Sequence, residues 1–219
     1  MKPPLLFLAL LLLFVGCGDD DPAVAPETPF PASRATPESL LTSWYETAYA
    51  LQNLSRFGEM LAPDFRFQFT PTTAETLQAR QRLPQDSTTW GKLQDIAVTD
   101  QIFRSPRVLS TSLDIWWIRS NVPDSTCEGC RRLEADIRLW VRIFYDPESI
   151  VLGGDLLQTF VVGPDPEDES AWVLKYQMDD PYLEKRFGAV EMSSPALESA
   201  VIPDSWSKIK TLFVLGWIS

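Results

Sequence analysis

The hydrophobic pattern is clearest between Arg132 and Tyr145, where apolar and polar positions alternate. The apolar positions are Leu133, Ala135, Ile137, Leu139, Val141 and Ile143. The alternate positions are Glu134, Asp136, Arg138, Trp140, Arg142 and Phe144. Because successive side chains of a strand point to opposite faces, this pattern predicts one long strand with an apolar face and a wet face. Such a strand is typical of a largely antiparallel sheet whose apolar face is covered by other elements.

Two helical patterns precede the sheet. Thr36, Pro37 and Glu38 have the features of a helix start, with a hydroxyl N-cap, a proline at the first helical position and an acid in the first turn. The apolar residues that then recur at helical spacing are Leu40, Leu41, Trp44, Ala48 and Leu51. A break at 53–55 predicts a second, short helix whose buried residues are Phe57, Met60 and Leu61. We expect these helices to cover the apolar face of the sheet.

The other elements are predicted from shorter patterns. A strand is predicted at 65–69, followed by a helix from Thr72 to about Arg82 and a helix that begins at Ser87 or Thr88 and carries Trp90, Leu93 and Phe103. The next strand is predicted at 107–120, with Leu109, Leu113, Ile115 and Trp117 on one side. After the long strand come a tight turn at 146–148 and strands at 150–162 and 171–178. Gly153 and Gly154 predict a β-bulge. Asp204 is expected to cap a final helix that docks on the body through Trp206, Ile209 and Phe213.

The N-terminus predicts export. Lys2 precedes an almost unbroken apolar run from Leu5 to Val15, which is too short to span a bilayer and has the proportions of a signal peptide. The run ends in Gly16 and Cys17, which resembles a bacterial lipobox. This resemblance implies cleavage after Gly16 and acylation of Cys17, with two or three acyl chains that anchor the mature protein to a membrane. The alternative is an ordinary secreted protein cut near Gly18.

The composition of the next segment predicts a tether. Residues 18–34 are rich in proline and acid and lack periodicity, so they cannot bury enough surface to fold. The predicted organisation is a signal peptide at 1–16, a lipidated cysteine and tether at 17–36, an α+β domain at 37–180 and a C-terminal tail at 181–219.

The formal net charge of −11 argues against nucleic-acid binding. Gly18, in place of an aspartate after the cysteine, favours the outer membrane over the inner one.

The segment from Ser39 to Phe69 resembles the opening of the nuclear-transport-factor-two-like superfamily. The resemblance is carried by the helix LLTSWYETAYALQNLSRFGEML and by the following APDFRFQF, and with the later strands it covers about 37–180. The superfamily includes ketosteroid isomerase, scytalone dehydratase, SnoaL-like polyketide cyclases and many proteins of no known activity. The implied fold is α+β and cone-shaped, with N-terminal helices packed against a curved, mostly antiparallel sheet around an apolar pocket.

Catalytic chemistry is poorly supported by the residues. The chain has no histidine, which excludes serine–histidine and cysteine–histidine nucleophilic pairs and removes a common metal ligand. By resemblance to ketosteroid isomerase, Tyr45 lies near the tyrosine of the family, but the position of the catalytic aspartate falls at Phe69. A phenylalanine cannot abstract a proton. We therefore predict no catalytic residue, no metal and no cofactor.

Three groups of residues remain as candidates for other roles. Cys127 and Cys130 lie in a turn between two strands, where an oxidising compartment favours a disulfide over redox or metal chemistry. The aromatic residues predicted to converge beneath the sheet, and to line a pocket if one exists, are Trp44, Tyr45, Phe65, Phe67, Phe69, Trp90, Phe103 and Trp117. On the wet face of the sheet, Asp136 is expected to pair with charges on neighbouring strands.

These observations leave three hypotheses for function. The first is a non-catalytic envelope lipoprotein that binds a small apolar ligand or a protein partner. The second is an enzyme of the polyketide-cyclase or ketosteroid-isomerase type, which requires a shielded carboxylate near a tyrosine hydroxyl. The third is a structural subunit that forms a homodimer through the open face of the sheet around Trp140 and Phe144.

Overall fold

The computed structural model describes residues 32–145, 148–179, 201–202 and 205–218. The predicted signal peptide, Cys17, most of the tether, the centre of the turn at 146–148 and the predicted cap Asp204 lie outside these residues. Within the described part the fold is α+β, with the N-terminal helices packed against a bent sheet. The predicted fold class is therefore confirmed.

Five helical elements are described. The first, α1, is a continuous run of three segments, Pro37–Ser39, Leu40–Tyr45 and Glu46–Ala50, of which the middle one is wound as a π-helix. The others are α2 (Leu54–Glu59), α3 (Pro71–Ala79), α4 (Lys92–Arg104) and α5 (Trp206–Val214). The predicted capping of α1 is present, because the Thr36 hydroxyl accepts a hydrogen bond from the Ser39 N–H at 3.1 Å.

Seven strands form one mixed sheet. They are β1 (Leu61–Gln68), β2 (Thr89–Gly91), β3 (Val108–Pro123), β4 (Arg131–Tyr145), β5 (Glu148–Pro164), β6 (Trp172–Asp179) and β7 (Val201–Ile202). The strand order is β2-β1-β6-β5-β4-β3, and β7 pairs with β5. Neighbours are antiparallel except for the β1–β6 and β5–β7 pairs. The long antiparallel strands β3, β4 and β5 form one half of the sheet.

Strand β4 has the two faces that its alternation predicts. All six of its apolar positions, Leu133 to Ile143, are at most 3% exposed. Its pairing with β5 is continuous through Gly153 and Gly154, so the predicted β-bulge is wrong. Instead, both glycines have a positive φ, and a Cβ at Gly153 would lie 1.9 Å from the Leu139 carbonyl oxygen. These residues allow the strand to bend without losing its register.

Strand β3 does not keep one alternation along its length. Its register against β4 shifts between Ile115 and Trp117, and again between Ile118 and Ser120. Leu113 and Ile115 are buried as predicted, whereas Leu109 and Trp117 are more than half exposed. The shift moves side chains to the opposite face, which is why Trp117 lies outside the core.

The helix predicted from Ser87 or Thr88 begins later. Residues Thr89–Gly91 pair with Arg66–Gln68 as β2, and the helix starts at Lys92 after Gly91. Trp90 is therefore a strand residue, and Leu93, placed at the helix start, is exposed. Helix α3 begins at Pro71, whose fixed φ suits the first helical position, and not at Thr72. Strand β1 begins at Leu61, four residues before the predicted start.

The first helix lies against the end strand β3. The Ile115 N–H donates to the Glu46 carboxylate, and the Thr111 hydroxyl donates to the Tyr49 carbonyl oxygen at 3.0 Å. Farther along the strand, the Asn121 side-chain amide donates to Glu38. These contacts fix α1 over the buried face, where its tyrosines enter the interior.

Candidate functional site

The interior between the helices and the sheet is lined by aromatic rings. Tyr45, Phe67 and Phe69 are essentially unexposed, and the Phe69 ring lies 4.5 Å from the Trp90 ring, centroid to centroid. Phe103 is half-buried and its ring lies 5.1 Å from that of Tyr49. Of the residues predicted to converge here, Trp44, Tyr45, Phe65, Phe67, Phe69, Trp90 and Phe103 do so, and Trp117 does not.

Trp44 occupies the rim of this cluster. Its indole N–H donates to the Arg56 carbonyl oxygen at 2.8 Å, and the guanidinium of Arg34 lies 5.3 Å from its ring centroid. Arg34 also forms an ion pair with Asp165 at 2.6 Å. Residues 32–36, which belong to the predicted tether, therefore contact the domain.

The C-terminal helix α5 fills part of the same interior. Trp206, Ile209 and Lys210 have no exposed surface, and the Trp206 ring lies 5.0 Å from that of Tyr49. The Ser207 hydroxyl accepts a hydrogen bond from the Thr70 N–H at 3.2 Å. The helix is capped by Ser205, whose hydroxyl accepts a hydrogen bond from the Lys208 N–H at 3.2 Å. The predicted final helix is thus present, with Trp206, Ile209 and Phe213 buried as expected.

A buried ion pair joins α5 to α4. The Lys210 ammonium donates to the Asp95 carboxylate, and both side chains have no exposed surface. The Trp90 indole N–H donates to the same carboxylate oxygen, Oδ1, at 2.9 Å. Burial lowers the pKa of Lys210, and the charge of Asp95 opposes this shift. The pair carries the electrostatic cost of two desolvated charges in the centre of the domain.

A second polar group of side chains connects the sheet to Tyr45. Gln158 donates to Asp179, Gln177 donates to Gln158 Oε1 at 2.8 Å, and the Tyr45 hydroxyl lies 3.4 Å from Gln177 Oε1. The Ser207 N–H of α5 also donates to Asp179, at 2.5 Å. Burial raises the pKa of Asp179, and this shift is partly offset by the hydrogen bond from Ser207. Burial also raises the pKa of Tyr45, and the charge of Asp95 raises it further.

Two buried polar atoms in this region have no hydrogen-bond partner among the described residues. They are Asp95 Oδ2 and Trp206 Nε1. Asp95 and Thr99 are one helical turn apart on α4, and Trp206 packs on Tyr49. Leaving such a group unpaired costs about 1–3 kcal/mol. The surface that receives α5 is therefore polar as well as aromatic, and incompletely satisfied.

The interior holds buried acidic and basic side chains as well as aromatic rings. Asp95, Asp179 and Lys210 were not predicted from the sequence as interior residues. For Asp95 and Lys210, however, the spacing along their helices indicates burial. Asp95 shares a helical face with the buried residues Val98, Thr99 and Ile102. Lys210 shares one with Trp206, Ile209 and Phe213. A charged residue within an apolar stripe at this spacing indicates a buried ion, and here the two stripes supply opposite charges.

The outer face of the sheet carries paired charges and exposed aromatic rings. Arg119 makes two 2.6 Å hydrogen bonds to Asp136, and Arg138 pairs with Asp155 at 2.7 Å, which confirms the expected cross-strand pairing. Trp116 and Trp117 are 52% and 59% exposed, with their ring centroids 6.4 Å apart. In the β3–β4 turn Cys127 and Cys130 form a disulfide, as predicted.

The described residues contain neither a cluster of metal ligands nor a helix that could span a membrane. No group of three or more acidic, cysteine or histidine side chains in this part of the chain is placed to hold a metal ion. Across the same residues, no helix combines the length and the apolar character needed to cross a bilayer.

The arrangement of these elements decides the fold. Helix α1 packs inside a bent sheet whose first strand follows a short helix, and three long antiparallel strands complete the wall. This order of helices and strands is the one that the resemblance to the nuclear-transport-factor-two-like superfamily predicts. No model of a protein family matches the chain, and neither does any curated protein.

Several solved structures resemble the chain. A protein of unknown function from Mycobacterium tuberculosis is 11% identical, with a TM-score of 0.49 over 83% of this chain and 93% of that one. A nuclear-transport-factor-two-like superfamily protein from Salmonella enterica is 9% identical, with a TM-score of 0.41 over 70% and 89% of the two chains. ActVI-ORFA from Streptomyces coelicolor is 10% identical, with a TM-score of 0.41 over 62% and 87%. At these values no activity is inferred from them.

Proposed function

We propose that this chain is a lipid-anchored protein of the bacterial cell envelope whose domain binds a protein partner on the outer face of its sheet. The observation that carries the proposal is the packing of α5, since Trp206, Ile209 and Lys210 occupy space that a ligand in the interior would need. The apolar run before Gly16 and Cys17 supports the anchor. Gly18 after the cysteine supports the outer membrane.

The outer face has the composition of a protein interface. Trp116, Trp117 and Phe144 are exposed by 45% or more, and Arg119 and Arg138 lie on the same two strands. Tryptophan and arginine are enriched among the residues that dominate binding energy at protein interfaces. Exposed apolar rings within a polar surround favour a partner that buries them.

Site-specific photo-crosslinking in cells tests this proposal. A photoreactive phenylalanine at position 117 is expected to form a covalent adduct, because the partner covers Trp117. The matched control is position 93, where Leu93 is 79% exposed on α4. An adduct of twice the mass of the mature chain would identify the partner as a second copy, and a different mass would identify another protein. Equal or absent crosslinking at both positions would exclude binding on this face.

A second candidate is an enzyme that acts on a hydrophobic carbonyl compound. It is favoured by the buried carboxylate of Asp179, which hydrogen bonds through Gln158 and Gln177 connect to the Tyr45 hydroxyl. The position expected for a catalytic base is held by Phe69, which packs against Phe67 and Trp90. A small apolar ligand is also compatible with the fold, but like the substrate it would have to share the interior with α5.

Deuterium exchange separates the enzyme from the binding protein. An enzyme of this type removes a proton next to a carbonyl group, so it would label a hydrophobic ketone in D₂O faster than buffer alone. Asp179→Asn would abolish that labelling. We expect the wild-type protein to give no labelling above the buffer rate, measured by mass spectrometry of the ketone.

A further inference from the structure

The Lys210 ammonium is surrounded by groups that belong to other elements of the domain. Its Nζ atom lies 3.7 Å from the ring centroid of Phe67 on β1 and 5.9 Å from that of Trp90 on β2. It pairs with Asp95 on α4. Trp206, on the helix of Lys210 itself, adds a ring at 5.3 Å. Helix α5 therefore contributes the cation, and the body of the domain contributes two aromatic rings and the carboxylate.

Aromatic faces together with a carboxylate are the groups that recognise an organic ammonium ion. A cation within about 6 Å of a ring centroid is attracted by the ring quadrupole, and more strongly so where water is excluded. Asp95 is oriented by the Trp90 indole N–H, and its second oxygen, Oδ2, is fully buried and accepts no hydrogen bond from the part of the chain that the structure describes. A primary ammonium group has three N–H donors, so a cation free to rotate could serve both carboxylate oxygens.

We infer that Phe67, Trp90 and Asp95 form a binding site for a primary alkylammonium ion, which Lys210 fills from within the same chain. Helix α5 then acts as an intramolecular ligand, held at the high effective concentration that covalent attachment gives. Apolar packing alone would not need a buried carboxylate opposite residue 210. This inference does not rest on the proposed partner binding, because the site lies in the interior and the partner surface on the outer face.

Replacement of the lysine by a free amine tests the inference on the full-length protein. Lys210→Ala removes Cγ, Cδ, Cε and Nζ, and propylammonium has the same four heavy atoms. Propylammonium chloride at about ten times its Kd is expected to raise the Tm of Lys210→Ala by roughly 3–5 °C. Equal concentrations of 1-propanol and sodium chloride are expected to leave the Tm unchanged, because neither provides an ammonium group.

Two control variants locate the effect at the site. Wild-type protein is expected to show no increase in Tm, because Lys210 already fills the site. The double variant Asp95→Asn/Lys210→Ala is expected to lose the response, since its carboxylate is absent. An equal increase with 1-propanol, or an equal response of the double variant, would overturn the inference.

A refolding assay covers the case in which Lys210→Ala does not fold alone. Refolding in propylammonium is then expected to give several-fold more soluble protein with a native near-ultraviolet circular dichroism spectrum than refolding in 1-propanol. Equal yields in the two solutes, including no folded protein in either, would overturn the inference.

Discussion

At the scale of single residues, the interior combines aromatic packing with ionisable groups. Asp179 receives hydrogen bonds from Gln158 and from the Ser207 N–H, yet burial still raises its pKa. Desolvation therefore outweighs the two hydrogen bonds at this position. Since the unfolded chain has an ordinary aspartate pKa, the stability of the fold must depend on pH through this residue.

The pH dependence of Asp179→Asn has a defined sign. The folded pKa of Asp179 lies above the ordinary value of 3.8, so the unfolded chain loses its proton first as the pH rises. The contribution of Asp179 to the free energy of unfolding therefore falls above pH 3.8, until the pH passes the folded pKa. Asparagine has no such proton, so the stability of Asp179→Asn relative to the wild type is expected to increase over this range. Urea unfolding between about pH 3 and pH 8 measures the difference.

Asp155→Asn provides the opposite control for this experiment. The hydrogen bond from Arg138 lowers the pKa of the Asp155 carboxyl. The wild type therefore gains stability from this group as the pH rises through the folded pKa to 3.8, so Asp155→Asn is expected to lose stability relative to it over that range and to differ by a constant amount at higher pH. A difference between Asp179→Asn and the wild type that stays constant with pH would contradict the assignment of a raised pKa.

At the scale of the elements, the periodicity of apolar residues predicted the type and the buried face of each element that a local pattern defines. The strict alternation of β4 and the helical stripe of α5 gave both their type and their buried face. Trp117 was misplaced because the register shifts of β3 depend on its pairing with β4, which no local pattern contains. Trp90 was misplaced because β2 exists only by pairing with β1.

The interior site was only partly predictable for the same reason. Its aromatic residues were found from their strands and helices, whereas Asp95 and Lys210 are 115 residues apart in sequence and define a site only together. Each lies within the buried stripe of its own helix, but neither stripe identifies the partner. Only the docking of α5 on α4 makes them partners.

The two glycines of β5 offer a matched test of sheet bending. Both have positive φ, but only Gly153 lies against backbone, with its Cβ position 1.9 Å from the Leu139 carbonyl oxygen. Gly154→Ala is expected to lower the free energy of unfolding by about 1–3 kcal/mol through backbone strain. Gly153→Ala is expected to cost ~1–3 kcal/mol more, because the new methyl group overlaps β4. Urea denaturation gives both values, and equal losses would show that close approach to β4 is not what requires glycine.

At the scale of the whole molecule, the residues that precede α1 already contact the domain. Arg34 pairs with Asp165, and its carbonyl oxygen accepts from the Trp172 N–H at 2.8 Å, at the start of β6. A chain that comes from a lipid anchor at Cys17 would therefore reach the domain beside β6. The position of this contact, and not the start of α1, then sets where the tether joins the body.

Replacement of Cys17 tests the anchor. Cys17→Ser is expected to move the protein from the membrane fraction to the soluble fraction, because one cysteine carries the acyl chains that hold it there. The double variant Cys127→Ser/Cys130→Ser removes the other two cysteines and is expected to stay with the membranes. Fractionation with detection by antibody measures both. Persistence of Cys17→Ser in the membrane fraction would rule out the lipid anchor.

The packing of α1 against the end strand β3 has a consequence for self-association. An end strand with free backbone groups can recruit a strand from another molecule and propagate a sheet without limit. Here the Ile115 N–H is taken by Glu46, and the opposite end strand, β2, has only three residues. The domain can thus display two neighbouring tryptophans on β3 beside a strand edge that Glu46 partly occupies, which disfavours extension of the sheet by a strand from another molecule.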